Sequence, residues 1–281
     1  MSIFDGLDAI IDIAVGIDAT WVWRRSSLNH SHRRTLQELC GGRGRDFDGQ
    51  ELVHKLLRQV NDNWDRADEA LKGVAPNAEN WIRRKNLYID PASTSDEVTL
   101  ERVITQVTDG NWWNQIPVDH LLLGDDGHKI VDMVHRDGDG GRDFELIELK
   151  IGDADTPLSA ASQLLKYGIV YAFFRNQYEE YFENPVRTEL LNAARLTLNV
   201  LAPWDFYQDF AACDWLAEFE SKLQDALKHI STTSSLDLPE MDFQFQSFPK
   251  SFAWAASMAN DEDAQKKVLW AIHHREPVFR P

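Results

Sequence analysis

Apolar residues recur along this chain at two spacings, and the change from one to the other divides it. In the first third Leu52, Leu56, Val60 and Trp64 repeat every fourth residue, which predicts one apolar face of an α-helix. Gly41-Gly42-Arg43-Gly44 before it reads as a loop, and residues 1–90 as a whole read as mainly helical. A second helical pattern, Leu100, Val103, Ile104 and Val107, follows Thr94-Ser95-Asp96-Glu97. A hydroxyl with an acid just beyond it satisfies the free N–H groups of a first helical turn, so a helix is predicted over 95–108.

Beyond that helix the period falls to two. A strand is predicted over Val118–Leu123, a Gly-Asp-Asp-Gly turn over 124–127, and two further strands over 129–134 and 145–150. Asp137-Gly138-Asp139-Gly140-Gly141-Arg142 lies between the last two and supplies the positive backbone angles of a tight hairpin, making them antiparallel neighbours. Thr156-Pro157 then opens a helix running through Gly168. A strand at Arg195–Leu201, a helix at Trp215–Ile230, an edge strand at Met241–Gln246 and a helix at Ala264–His273 complete the order. No internal repeat or low-complexity segment interrupts it. Strands alternating with helices in this way predict an α/β fold, a mixed sheet flanked by helices, with a mainly helical region at 1–90 and the sheet-bearing domain at 91–281.

The hairpin carries the chemistry. Alternation along a strand puts Glu148 and Lys150 on one side, together with Phe144 and Leu146. A turn centred near Gly140 sets Asp132 opposite Glu148, with the two positions roughly 5 Å apart. Charged groups in the middle of apolar strands are costly unless paired or bound to a cation. Two carboxylates so placed make a site for Mg²⁺ or Mn²⁺, whereas zinc would call for His or Cys. A salt bridge of Lys150 with both acids is the structural alternative.

This pattern resembles the PD-(D/E)xK nuclease superfamily, in which an Asp on one strand and a Glu-x-Lys on the next form the catalytic core. Here those positions are Asp132, Glu148 and Lys150. The following helix carries Gln163 and Tyr167, one turn apart on one face, similar to the subgroup with a Gln-x-x-x-Tyr helix that includes bacterial recombination exonucleases. The family often adds a Glu from the helix before the core strands; Glu97 is favoured for that role, with Glu101 one turn further on. The family's leading Asp often follows a Pro, which Asp132 lacks; Pro117-Val118-Asp119 has that proline and makes Asp119 the substitute. The motifs span roughly residues 94 to 175. The resemblance implies a restriction-endonuclease-like fold and a Mg²⁺-dependent (or Mn²⁺-dependent) hydrolase of phosphodiester bonds. Asp132, Glu148 and the Leu149 carbonyl would hold the metal, and Lys150 would orient the attacking water.

Charge cuts against this reading. The chain carries 29 basic and 46 acidic residues, a net −17, and affinity for nucleic acid rests mainly on Lys and Arg. The first 90 residues are balanced, with 13 basic and 14 acidic. There Arg24-Arg25, Arg33-Arg34, Arg43, Arg45 and Arg83-Arg84-Lys85 interleave with Trp21, Trp23 and Trp81, either as a nucleic-acid face or as solvated arginines beside core tryptophans. Cys40 and Cys213 are the only cysteines and read as reduced thiols of a cytoplasmic protein. No secretory signal or spanning helix is evident. His30, His32, His273 and His274 read as structural or surface residues. The expected partner is nucleic acid, DNA before RNA, with no membrane and with a homo-oligomer open. A non-catalytic binding module on the same fold is the alternative. A glycoside hydrolase ranks last, because a lysine between the two acids leaves no place for a sugar ring.

Overall fold

A computed structural model describes residues 2–17, 29–44, 46–67, 81–118, 129–138, 141–181, 188–234 and 236–279. In the N-terminal region lie α1 (Leu7–Ala14), α2 (Arg33–Glu38) and α3 (Gly49–Asp65). Leu52, Leu56, Val60 and Trp64 are all at most 1% exposed, as their spacing predicts, and burial of each such side chain stabilises by about 1.5–3 kcal/mol. The glycine run before α3 is not an open loop: Leu39–Arg43 forms a π-helical turn, with Gly42 in the left-handed region at φ 91°.

α4 (Asp96–Val107) begins where the capping sequence places it, the Ser95 side chain accepting from the Val98 N–H at 3.3 Å. It is followed by β1 (Trp112–Pro117), β2 (Ile130–Asp137) and β3 (Asp143–Leu149). The first strand therefore lies upstream of the predicted Val118–Leu123; residues 119–128, including the predicted turn and Asp119, fall outside the described residues. Trp112-Trp113-Asn114 hides the alternation. Asn114 is fully buried because its carboxamide pairs with the backbone of Asn86, accepting at 2.7 Å and donating at 2.9 Å.

α5 (Pro157–Tyr181) leads to β4 (Arg195–Ala202), and the short α6 (Trp204–Tyr207) and α7 (Asp214–Thr233) lead to β5 (Glu240–Ser247). α8 (Glu262–His273) and β6 (Glu276–Pro277) end the fold. The six strands form one mixed sheet in sequence order. β1, β2 and β3 are antiparallel, β3–β4–β5 parallel, and β6 antiparallel on the edge. The expected α/β mixed sheet flanked by helices is thus present.

Alternate residues of β3 enter two different cores. Phe144 and Leu146 join the N-terminal helices, α5 and α7, while Ile147 and Leu149 join α4 and α8. Parallel strands need crossovers, and two crossovers of one hand travelling in one direction put both helices on one face.

One expectation about the cysteines is corrected: Cys40 and Cys213 form a disulfide. They are separated by 173 residues, so no local spacing announces the pair; it exists because α7 packs against the turn that follows α2. No described helix is long and apolar enough to cross a membrane.

Candidate active site

The hairpin has the predicted register. Met133 faces Ile147 and Val134 faces Leu146, one step short of Asp132 and Glu148. The Asp132 carboxylate accepts from the Leu149 N–H at 2.9 Å. Glu148 is fully buried and Lys150 8% exposed, both on the face that α5 covers.

Lys150 sits at the centre of a ring of acids. Its Nζ lies 2.7 Å from Glu148, 3.5 Å from Glu97, and 4.0 Å from Asp132 and from Asp155. One ammonium thus faces four carboxyl groups. Glu148 makes the shortest of these contacts, and the buried Glu101 Oε2 has no hydrogen-bond partner among the described residues.

Protonation follows from this imbalance. Burial pushes Asp132 up to about 7, against the pull of Lys150 and with the repulsion of Glu97. Burial, together with the charge of Asp132, raises Glu148 well above the carboxylate range even though Lys150 opposes it. Burial and the neighbouring Asp132 and Glu97 raise Glu101 to about 9. Lys150 is held charged: burial disfavours the ammonium, but Glu148, Asp132 and Glu97 outweigh it. Glu145, on the opposite face of β3, makes the contrast. It too is desolvated, yet Arg275 at 3.0 Å and His135 at 3.1 Å bring it down to about 2. Burial alone does not raise an acid on this strand; a deficit of positive charge does.

Beside this ring opens a cleft of 530 Å³, whose walls include Glu97, Glu101, Gln115, Asp132, Gln163 and Tyr167. Glu148 and Lys150 lie behind Asp132 and do not line it. Gln163 and Tyr167 come from α5, which starts where Thr156 accepts from the Ser159 N–H at 3.1 Å. The Gln163 carboxamide donates to the Tyr167 hydroxyl at 3.2 Å, and Phe4 meets the Tyr167 ring edge-on at 6.0 Å. So Asp132, Glu148, Lys150 and Glu97 come together as one cluster, while Gln163, Tyr167 and Glu101 share the adjoining cleft.

Sequence reasoning missed several groups. Asp155, one residue before the Thr-Pro helix start, could have been read as a further acid near the Glu-x-Lys strand. Gln115 gave no signal. It is a non-glycine residue at φ 54° inside β1, it accepts from the Asn86 side chain at 2.9 Å, and it hydrogen-bonds Glu101. Such backbone strain, about 1–3 kcal/mol, persists where surrounding contacts enforce it. His30 is paired with Asp12 at 2.7 Å. Of the arginines, Arg33 pairs with Asp209, and Arg83 with Glu189 at 2.6 Å. Trp81 is core at 2% exposure. Trp21, Trp23, Arg24, Arg25 and Arg45 fall outside the described residues.

The donor set is all hard oxygen, which is the ligand type of Mg²⁺ or Mn²⁺. Among the described residues no three His, Cys, Asp or Glu side chains meet the geometry of a metal centre; the cation among them is the ammonium of Lys150. No protein-family model matches this chain, and no curated protein or solved structure is significantly similar to it.

Proposed function

We propose that this protein is a metal-dependent nuclease with a restriction-endonuclease-like core, hydrolysing phosphodiester bonds of nucleic acid, DNA before RNA. The observation that carries the reading is the acid ring: four carboxyl groups, one of them the fully buried Glu148, within 4.0 Å of a single ammonium. A fold spends stability on buried, under-compensated acids chiefly where function needs them.

Asp132 and Glu148 would hold Mg²⁺ or Mn²⁺, with Glu97 at the rim and the Leu149 carbonyl as the remaining protein ligand. There the ion would supply Lewis-acid polarisation of the phosphate and a lowered pKa for water. Lys150, relieved of part of its acid ring, donates to the water or to a phosphate oxygen as negative charge grows there. Gln163 and Tyr167 position the strand across the cleft, and the apolar packing behind Glu148 excludes bulk water. Glu101, neutral below about pH 9, contributes a proton donor to the same wall.

The test is cleavage of single- and double-stranded DNA and RNA with Mg²⁺ or Mn²⁺, comparing wild type with Lys150→Ala and Asp132→Ala. Lys150→Ala is expected to keep metal binding and lose about 10²–10³-fold in kcat, and Asp132→Ala to lose both. Full activity in either variant removes the assignment. The second reading, a non-catalytic binding module, is favoured by how completely Lys150 occupies the acid ring; absence of cleavage together with absence of Mg²⁺ or Mn²⁺ binding by calorimetry would establish it.

A further inference from the structure

The cleft has a second charged group that the acid ring does not use. Lys166, on α5 between Gln163 and Tyr167, lines the cleft together with Asp8 from α1. Its Nζ is 2.6 Å from the Asp8 carboxylate, and its side chain is 16% exposed. Behind Asp8 stands a buried pair: the His30 Nε2 is 3.6 Å from Asp8, and its Nδ1 is 2.7 Å from Asp12. Asp12 is 1% exposed and also accepts from the His30 N–H and the Asn29 side chain, each at 2.9 Å. Burial would raise the Asp12 carboxyl, but these hydrogen bonds bring it below its ordinary range. The row Asp12, His30, Asp8, Lys166 therefore ends in an ammonium anchored on the cleft wall.

The electrostatics of the cleft call for such a group. Its walls carry Asp8, Glu97, Glu101 and Asp132 against Lys129 and Lys166, in a chain of net charge −17. A polyanion is repelled by that surface unless cations on the wall meet its phosphates. Lys150 is enclosed by four carboxyl groups at the acid ring and is not one of the lining residues, so it offers no cation to the phosphates that flank the scissile one. An ammonium has three donors, and Asp8 is the one acceptor that Lys166 meets among the described residues. Its other two N–H groups meet no acceptor among the described residues, and the side chain is already held by Asp8, so little rotamer freedom is lost on binding.

We propose that Lys166 is a phosphate-binding residue, contacting a backbone phosphate of the nucleic-acid strand next to the phosphate that the acid ring would cut, and that Asp8, backed by His30 and Asp12, is its positioning residue. This rests on the nuclease reading for the identity of the polyanion. α1 would then complete the substrate wall of the sheet-bearing half of the chain.

The experiment measures binding of a fluorescein-labelled single-stranded oligodeoxynucleotide by anisotropy across a salt series, and kcat and KM with Mg²⁺, for wild type, K166M, K166R and D8N. K166M is expected to weaken binding severalfold, to lower the slope of log K against log salt by about 0.7, and to raise KM more than it lowers kcat. K166R restores the slope. D8N breaks the same ion pair but keeps the ammonium, so it keeps the salt slope of wild type and loses affinity only through the lost positioning, less than K166M does. Equal weakening in K166M and D8N, tracking a common loss of thermal stability, would mean that the pair only ties α1 to α5 and would overturn the proposal. If wild type cuts while K166M keeps its slope and KM, Lys166 is dismissed and the acid ring stands. Salt-sensitive binding that depends on Lys166 in a protein that does not cut keeps Lys166 and dismisses hydrolysis. No binding by wild type dismisses Lys166 as a nucleic-acid contact.

Discussion

Asp132 shows what a single residue stores. Its proton is held up to about pH 7 by burial, against the pull of Lys150 and with the help of Glu97, whereas an ordinary aspartate titrates near 3.8. A group whose folded pKa lies above its unfolded one gives stability that is complete below the unfolded value and lost as pH rises through the folded value. Glu148 and Glu101 carry the same sign. Glu145, held down to about 2, acts only in acid and with the opposite sign. In EDTA the melting temperature should therefore fall as pH rises from about 4 through about 7, where Asp132 ionises, and on towards about 9, where Glu101 does. Mg²⁺ should recover most of that loss above pH 7, since binding to the folded state alone stabilises it. Differential scanning fluorimetry over a pH series, with and without Mg²⁺, checks this; a profile that is flat in EDTA, or that Mg²⁺ leaves unmoved, contradicts it.

At the scale of elements, the cleft depends on how closely α5 lies on β4. Gly168, one residue beyond Tyr167, permits that approach: a Cβ built there would stand 2.6 Å from Leu198 Cδ1 and 3.3 Å from its Cγ. Leu198 is fully buried and has little room to withdraw. Gly168→Ala should cost about 1–3 kcal/mol by overpacking, read from urea denaturation, and should raise KM because Gln163 and Tyr167 shift with the helix. Leu198→Val, which removes a methylene from the contact, should recover part of the loss in the double variant. Simple additivity of the two changes would show that the helix does not bear on that leucine. The same scale explains which elements were legible. The Ser95 cap and the Thr-Pro start of α5 act within one turn, and a two-fold alternation with a glycine-rich turn specifies β2 and β3; each is written in neighbouring residues. β1 was not, because its buried Asn114 is satisfied by a segment 28 residues away.

For the whole molecule, the decisive packing unites the N-terminal helices with the sheet. Ile3, Leu7, Leu36, Leu56 and Trp64 share one core with Phe144, Leu164, Leu198 and Phe243, so the cleft is closed on one side by the first turns of the chain. The Cys40–Cys213 disulfide ties the same halves. Alkylation without reductant should leave both thiols unmodified by intact mass. Reduction, or Cys40→Ser, should lower stability by about 2–5 kcal/mol. Alkylation of both cysteines in the unreduced protein would refute the link.

The sequence by itself determined what depends on near neighbours: the hairpin that sets Asp132 against Glu148, the face shared by Glu148 and Lys150, the caps that start α4 and α5, and the α/β order. Strand and helix periodicity act over a few residues, and there the chemistry of the side chains is enough. Tertiary structure alone decided that Lys150 would be encircled rather than merely paired, that Asp155 and Gln115 would join the site, that Asp8 would reach Lys166 across 158 residues, and that two distant cysteines would meet. Those outcomes depend on which surfaces are buried against which, and on how much positive charge remains beside a buried acid once they are. Neither quantity exists until the helices have closed over the sheet.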